Sequence, residues 1–162
     1  TYQIKLTVDG KTYSAPLVVA KDPRVKTTQA DFDKQYQFAL ELRGRVNDVN
    51  NTVNLIRSTR KTLDERKQAN PSQASAIDAI EQKMAGIEEQ LIQVASVTRW
   101  AGLVYPIELD AQYGDLMNVV ESADSAPPAQ VYQVFQSYET KRIKLMAEWK
   151  SAQEEIARLG GE

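Results

Sequence analysis

Apolar residues recur along this chain with two different periods. At the front, Tyr2, Ile4, Leu6 and Val8 alternate with Gln3, Lys5 and Thr7, the period of two expected of a half-buried strand. Asp9-Gly10 follows, the dipeptide best suited to a type I′ hairpin turn. A second strand is predicted from about Lys11 to Ala20, with Tyr13, Ala15, Leu17 and Val19 on one face. Pro16 has no amide proton, which places it at a sheet edge or at a bulge. A lone hairpin is marginally stable in water, so its apolar face needs cover. Either it lies on the helices, or it pairs with strands that preceded Thr1. The chain starts in mid-strand, and the second arrangement is expected: residues 1–23 are a β-hairpin left over from a β-sandwich module.

From about Thr28 to Lys67 the period becomes helical. Phe32, Ala39, Val46 and Val53 recur every seven residues, with Leu42, Val49, Ile56 and Leu63 at the matching offset. Gln35 and Arg60 interrupt this seam. Asn70-Pro71 reads as a stop and restart, since Asn caps helices well and Pro suits their first position. A second seam follows: Ile77, Met84 and Leu91 on one line, and Ile80, Ile87, Val94 and Ala101 on the other. The basic end of the first helix (Arg57, Arg60, Lys61, Arg66, Lys67) faces an acidic second helix (Asp78, Glu81, Glu88, Glu89).

Gly102 to Pro106 is expected to break the second helix. A short helix from Pro106 carries Leu109, Tyr113, Leu116 and Val120 inward. After a turn-rich connector over 122–128, a last helix runs to about Leu159, with Phe135, Trp149 and Ile156 on one line and Tyr138, Leu145, Ala152 and Leu159 on the other. The predicted fold is mainly α: an antiparallel up-down helical bundle over 28–162, three long helices plus one short, behind the hairpin.

Composition narrows the chemistry. The 162 residues carry 20 Lys plus Arg against 22 Asp plus Glu, a net charge of -2. That balance argues against a nucleic-acid binder, whose affinity comes mostly from phosphate contacts. No apolar run approaches the ~18 residues of a membrane span. The chain has no Cys and no His, which removes thiolate chemistry, the commonest general base and the commonest transition-metal ligand. A di-metal carboxylate site would need Glu-x-x-His pairs facing inward, and the seams hold aliphatics instead. No catalytic residue, cofactor or metal site is expected.

What remains is an aromatic corner. Trp100 and Tyr105, with Tyr113 beyond them and Glu108 and Asp110 nearby, can be read as a sugar-stacking platform or as packing where helix two ends. Arg60 and Arg142 can hold an anion, or pair with a Glu and fix register. The pairs Glu88-Glu89 and Glu154-Glu155 fall outside the seams and read as solvated.

Several stretches resemble a known family. Tyr2 to Lys11, followed by Pro16-Leu17-Val18-Val19 and Asp22-Pro23-Arg24-Val25, is similar to the last two strands of the immunoglobulin-like module of large bacterial sortilin-like proteins with BNR (Asp-box) repeat β-propellers. Leu42-Arg43 with Val49-Asn50, Tyr105-Pro106-Ile107, and Val120 to Asp124 with Ala126-Pro127 resemble their helical tail. The resemblance implies the C-terminal end of an exported protein, periplasmic, cell-surface or secreted, whose other domains lie upstream. The Asp-box signature Ser-x-Asp-x-Gly-x-Thr-Trp does not occur here, so no sialidase-like residue carries over.

The expected function is therefore a non-catalytic scaffold, spacer or docking bundle. Its partners would be the upstream domains of its own parent chain, a protein helix laid along the bundle, or a second copy on an exposed helix face. The alternative is a carbohydrate-binding or accessory part of a sialidase-like glycosyl hydrolase, with Trp100, Tyr105 and Tyr113 facing the sugar.

Overall fold

The structure is a computed structural model that describes residues 2–95 and 104–159. Among the described residues two strands, β1 (Tyr2–Val8) and β2 (Lys11–Leu17), precede four α-helices: α1 (Gln29–Ala69), α2 (Ala74–Leu91), α3 (Leu109–Glu121) and α4 (Ala129–Leu159). The chain is mainly α, as its periodicity predicts.

The strands form one antiparallel ribbon, with Val8 opposite Lys11 and Tyr2 opposite Leu17. Asp9 and Gly10 both take positive φ, 49° and 76°, the left-handed pair that a type I′ turn demands. The register runs unbroken through Gln3 opposite Pro16, so Pro16 marks an edge and not a bulge. β2 ends at Leu17, short of the expected Ala20, and every described residue up to Arg24 is exposed.

Thr28 starts α1. Its hydroxyl accepts from the Asp31 amide at 3.2 Å and donates to the Asp31 carboxylate at 2.7 Å, so a free backbone donor is satisfied and a negative charge sits at the helix's positive end. The helix then runs 41 residues, ~60 Å at 1.5 Å per residue. Asn70 closes it through its amide to the Arg66 carbonyl, and Pro71 opens a single 3₁₀ turn over Pro71–Gln73. The side chain of Arg66 donates to that of Gln73 across this turn at 2.9 Å.

Contacts between the helices give the topology. Arg57 and Arg60 meet Glu88, and Lys67 meets Asp78, so α2 runs back along the second half of α1. Gln35 donates to the carbonyls of Val120 and Ala123 at 2.6 and 2.7 Å, so α3 continues the same return along the first half. Phe38 touches Phe135, and Arg45 touches Glu139, so α4 runs parallel to α1. The bundle has three legs: α1 up, α2 then α3 down, α4 up.

The second helix departs from expectation. It spans 18 residues and ends at Leu91, short of the predicted seam position Ala101. Ile92 is extended, at φ -138° and ψ 155°. The Gln93 side chain then takes over the local backbone: its Oε1 accepts from the Ala95 amide and its Nε2 donates to the Pro106 carbonyl, both at 2.9 Å. A side chain that satisfies nearby backbone groups in a turn competes with helix continuation. Val94, placed on the seam by its spacing, is exposed, and Ala101 lies outside the described residues. The short helix starts at Leu109 and not at Pro106, and buries all four expected residues, Leu109, Tyr113, Leu116 and Val120.

One continuous core joins the legs. The Leu42, Val49, Ile56 and Leu63 line is fully buried, whereas Phe32, Ala39 and Val46 are half-buried. Val53, the last member of that line, is buried as predicted, and Phe38 and Thr52, each one position before a seam residue, are buried as well. The buried stripe of α1 is broader than a two-helix seam because two other legs pack on it.

Candidate functional site

Among the described residues two carboxylates are buried, Glu88 and Glu139, and the larger cluster is centred on Glu139, 9% exposed. Its Oε1 accepts from the Tyr113 hydroxyl at 2.7 Å, from Arg45 Nε at 2.9 Å and from Arg142 Nε at 2.9 Å. Its Oε2 accepts from the second Arg142 nitrogen at 2.9 Å. Three legs therefore meet on one carboxylate: α1 through Arg45, α3 through Tyr113, α4 through Glu139 and Arg142. Burial disfavours the charge, but Arg142, Tyr113 and Arg45 outweigh it and bring the Glu139 pKa down to about 2. Burial, then the Glu139 carboxylate, push the Tyr113 hydroxyl well above the usual tyrosine range.

Both shifts oppose proton exchange near neutral pH, on which general acid–base catalysis depends. Tyr113 is fully buried and has no surface to offer a ligand. The cluster clamps helices. It also answers the question Arg142 posed in the sequence: its partner is Glu139, three residues back.

Arg60 finds a partner of the same kind. Its guanidinium lies 2.7 Å from Glu88, whose other oxygen accepts from Arg57 at 2.6 Å. Glu88 is 4% exposed and not solvated as its spacing suggested, because two arginines from α1 cover it. Glu89 remains exposed, as does Glu154, while Glu155 is half-buried and binds Lys83 at 2.7 Å.

The aromatic corner is only partly assembled. Tyr105 lines a shallow groove of about 380 Å³ with Asn50, Ile92, Gln93, Ile107 and Asp110. Burial raises the Asp110 carboxyl above its ordinary range. Glu108, the other carboxylate of this corner, is tied to Lys141 at 2.6 Å. Trp100 lies outside the described residues. Tyr113 faces the core, so the three aromatics proposed to face a sugar do not form one platform. Among the described residues, no group of three or more acidic side chains is placed to hold a metal ion, and no helix is long and apolar enough to cross a membrane.

A contiguous exposed apolar surface lies on the hairpin. The register puts Tyr2, Ile4, Leu6 and Val8 on the same face as Tyr13, Ala15 and Leu17. Its large members are between 41% and 67% exposed. Exposed apolar side chains on the helices, such as Tyr36, Leu55 and Ile143, are scattered and ordinary for a surface. The alternation of the strands makes the hairpin's apolar residues contiguous.

Comparison of the chain with protein-family models, with curated proteins and with solved structures returns no match.

Proposed function

We propose that this chain is a non-catalytic structural and docking module, from the C-terminal end of a larger exported bacterial protein of the sortilin-like, BNR-repeat kind. The observation that carries the reading is the uncovered apolar face of the β1–β2 ribbon. Such a ribbon does not hold itself together well in water, and the bundle buries none of it. A neighbouring β-layer of the parent protein is the natural cover. The bundle supplies the rest: an aliphatic core, and buried carboxylates whose lone pairs are occupied by arginine and tyrosine.

The carbohydrate-binding reading draws less support. Tyr113 is in the core, and the Tyr105 groove has one carboxylate free of an ion pair, where a glycosidase needs two across a gap of roughly 5–9 Å.

The test compares the full chain with a chain lacking residues 1–20. The expected result is a thermal midpoint within about 2 °C of the full chain, because no core packing is lost, and a clear drop in binding of a hydrophobic fluorescent dye. A midpoint lowered by several degrees would mean that the hairpin serves the bundle, and the docking reading would fail. Reproducible saccharide binding that disappears in Tyr105→Ala would replace it with the alternative.

A further inference from the structure

We infer that the ribbon is completed along the outer edge of β1, by an extended partner strand that carries a carboxylate opposite Lys5. This rests on the docking reading and specifies the partner.

A two-residue type I′ turn makes its flanking residues, here Val8 and Lys11, a hydrogen-bonded pair, and such pairs alternate with non-hydrogen-bonded ones. The non-hydrogen-bonded pairs are then Thr7–Thr12, Lys5–Ser14 and Gln3–Pro16. The hydroxyls of Thr7 and Thr12 lie 3.1 Å apart, the close approach such pairs show. At these positions the backbone N–H and C=O point away from the ribbon. The β1 edge therefore offers three amides, from Gln3, Lys5 and Thr7. The β2 edge offers only those of Thr12 and Ser14, because Pro16 has none. Proline on the outward-facing side of a strand is how sheets end. β2 is the terminating edge and β1 the open one.

Lys5 selects the occupant. Among the described residues no carboxylate pairs with it, and its same-face neighbours Gln3, Thr7, Thr12 and Ser14 are uncharged. A second copy fits badly: the antiparallel register that overlaps two β1 strands fully puts Lys5 against Lys5 of the other copy. Like charges directly opposite each other destabilise a sheet, and opposite charges stabilise it. Face-to-face stacking of two ribbons is also too small. Seven residues by two strands cover only about 230 Å², against roughly 800 Å² per partner in a stable interface. An acidic, alternating strand that adds to β1 uses the free amides and the lysine. That strand lengthens the ribbon's own sheet, and a second β-layer of the same partner, packed about 10 Å away, covers the apolar face.

The probe is a seven-residue peptide alternating Val and Thr with one central Glu, titrated into isotope-labelled full chain and followed by backbone NMR and amide exchange. A matched peptide carries Lys in place of Glu. The expected result is slowed exchange at Gln3, Lys5 and Thr7, with the Glu peptide binding about three- to tenfold tighter than the Lys peptide. Lys5→Glu should reverse that preference. Lys5→Pro should abolish binding while the signals of 29–159 stay in place, since the Lys5 amide makes no bond inside the ribbon. Slowed exchange at Thr12 and Ser14 instead would overturn the β1 assignment while leaving the docking reading intact. Absence of binding, a preference unchanged by Lys5→Glu, or self-association abolished by Lys5→Pro would each overturn the proposed partner.

Discussion

Glu139→Ala is expected to destabilise the protein by about 2–4 kcal/mol, read as a fall of roughly 10 °C in the thermal midpoint. Removing one partner of a buried charge cluster is costly because the others remain. Arg45, Arg142 and the Tyr113 hydroxyl would lose their common acceptor at once. The figure lies below the usual ceiling for such breaks because the arginine side chains keep partial contact with water, 26% and 18% exposed. Tyr113→Phe keeps the packing and removes one donor, so about 1–2 kcal/mol is expected.

The same carboxylate makes a signature in acid. Its folded pKa of about 2 lies below the 4.5 of a free glutamate. A depressed pKa contributes stability that is complete above the unfolded value and disappears as pH falls toward the folded one. Urea midpoints of the native chain should therefore decline between pH ~4.5 and ~2. In Glu139→Gln, already weaker at neutral pH, that decline should be visibly shallower. Equal slopes in the two proteins would remove Glu139 from the account.

Phe38→Ala is expected to cost about 3–5 kcal/mol, and Phe32→Ala less than half of that. Phe38 is 4% exposed and sits between two rings of α4. Tyr132 is 4.5 Å away by ring centroids, and Phe135 meets it edge-on at 5.2 Å. Phe32 is only half-buried, at the open end of the bundle. A heptad reading gives the opposite ranking, because Phe32 starts the seam and Phe38 lies beside it. Chemical denaturation of the two variants decides between them.

That contrast shows what the sequence discloses. Features set within a few residues were legible: the Asp9-Gly10 turn, the start of the first helix near Thr28, the stop at Asn70-Pro71, and the inward set Leu109, Tyr113, Leu116 and Val120. Features set by which leg packs where were not. Phe38 is buried because α4 brings two rings to it, and Glu88 because two arginines arrive from α1. Just past the end of α2, a glutamine side chain bonds across to Pro106.

The Glu139 cluster left one trace: Glu139 and Arg142, of opposite charge and three apart, stand between the apolar Phe135 and Leu145. A charged pair inside an apolar stripe is the pattern to look for. The candidate surface was half legible. Alternation marked the apolar face, but the open edge needed the register through Pro16.

The separation in sequence of the groups that meet also bears on how the chain assembles. Contacts from α1 to α2 join residues 11 to 31 apart, as in Lys67 with Asp78 and Arg57 with Glu88. Side-chain hydrogen bonds from α1 to α3 and α4 join residues 85 to 94 apart, as in Gln35 with Val120 and Arg45 with Glu139. Closing the shorter loops loses less chain entropy, and local contacts form sooner. The α1–α2 hairpin is therefore the early structure in folding, and the carboxylate clamp closes late. Interactions made after the rate-limiting step govern unfolding and leave folding nearly untouched. The clamp thus acts as a latch: Glu139→Ala should leave the refolding arm of a chevron plot in place and raise the unfolding arm.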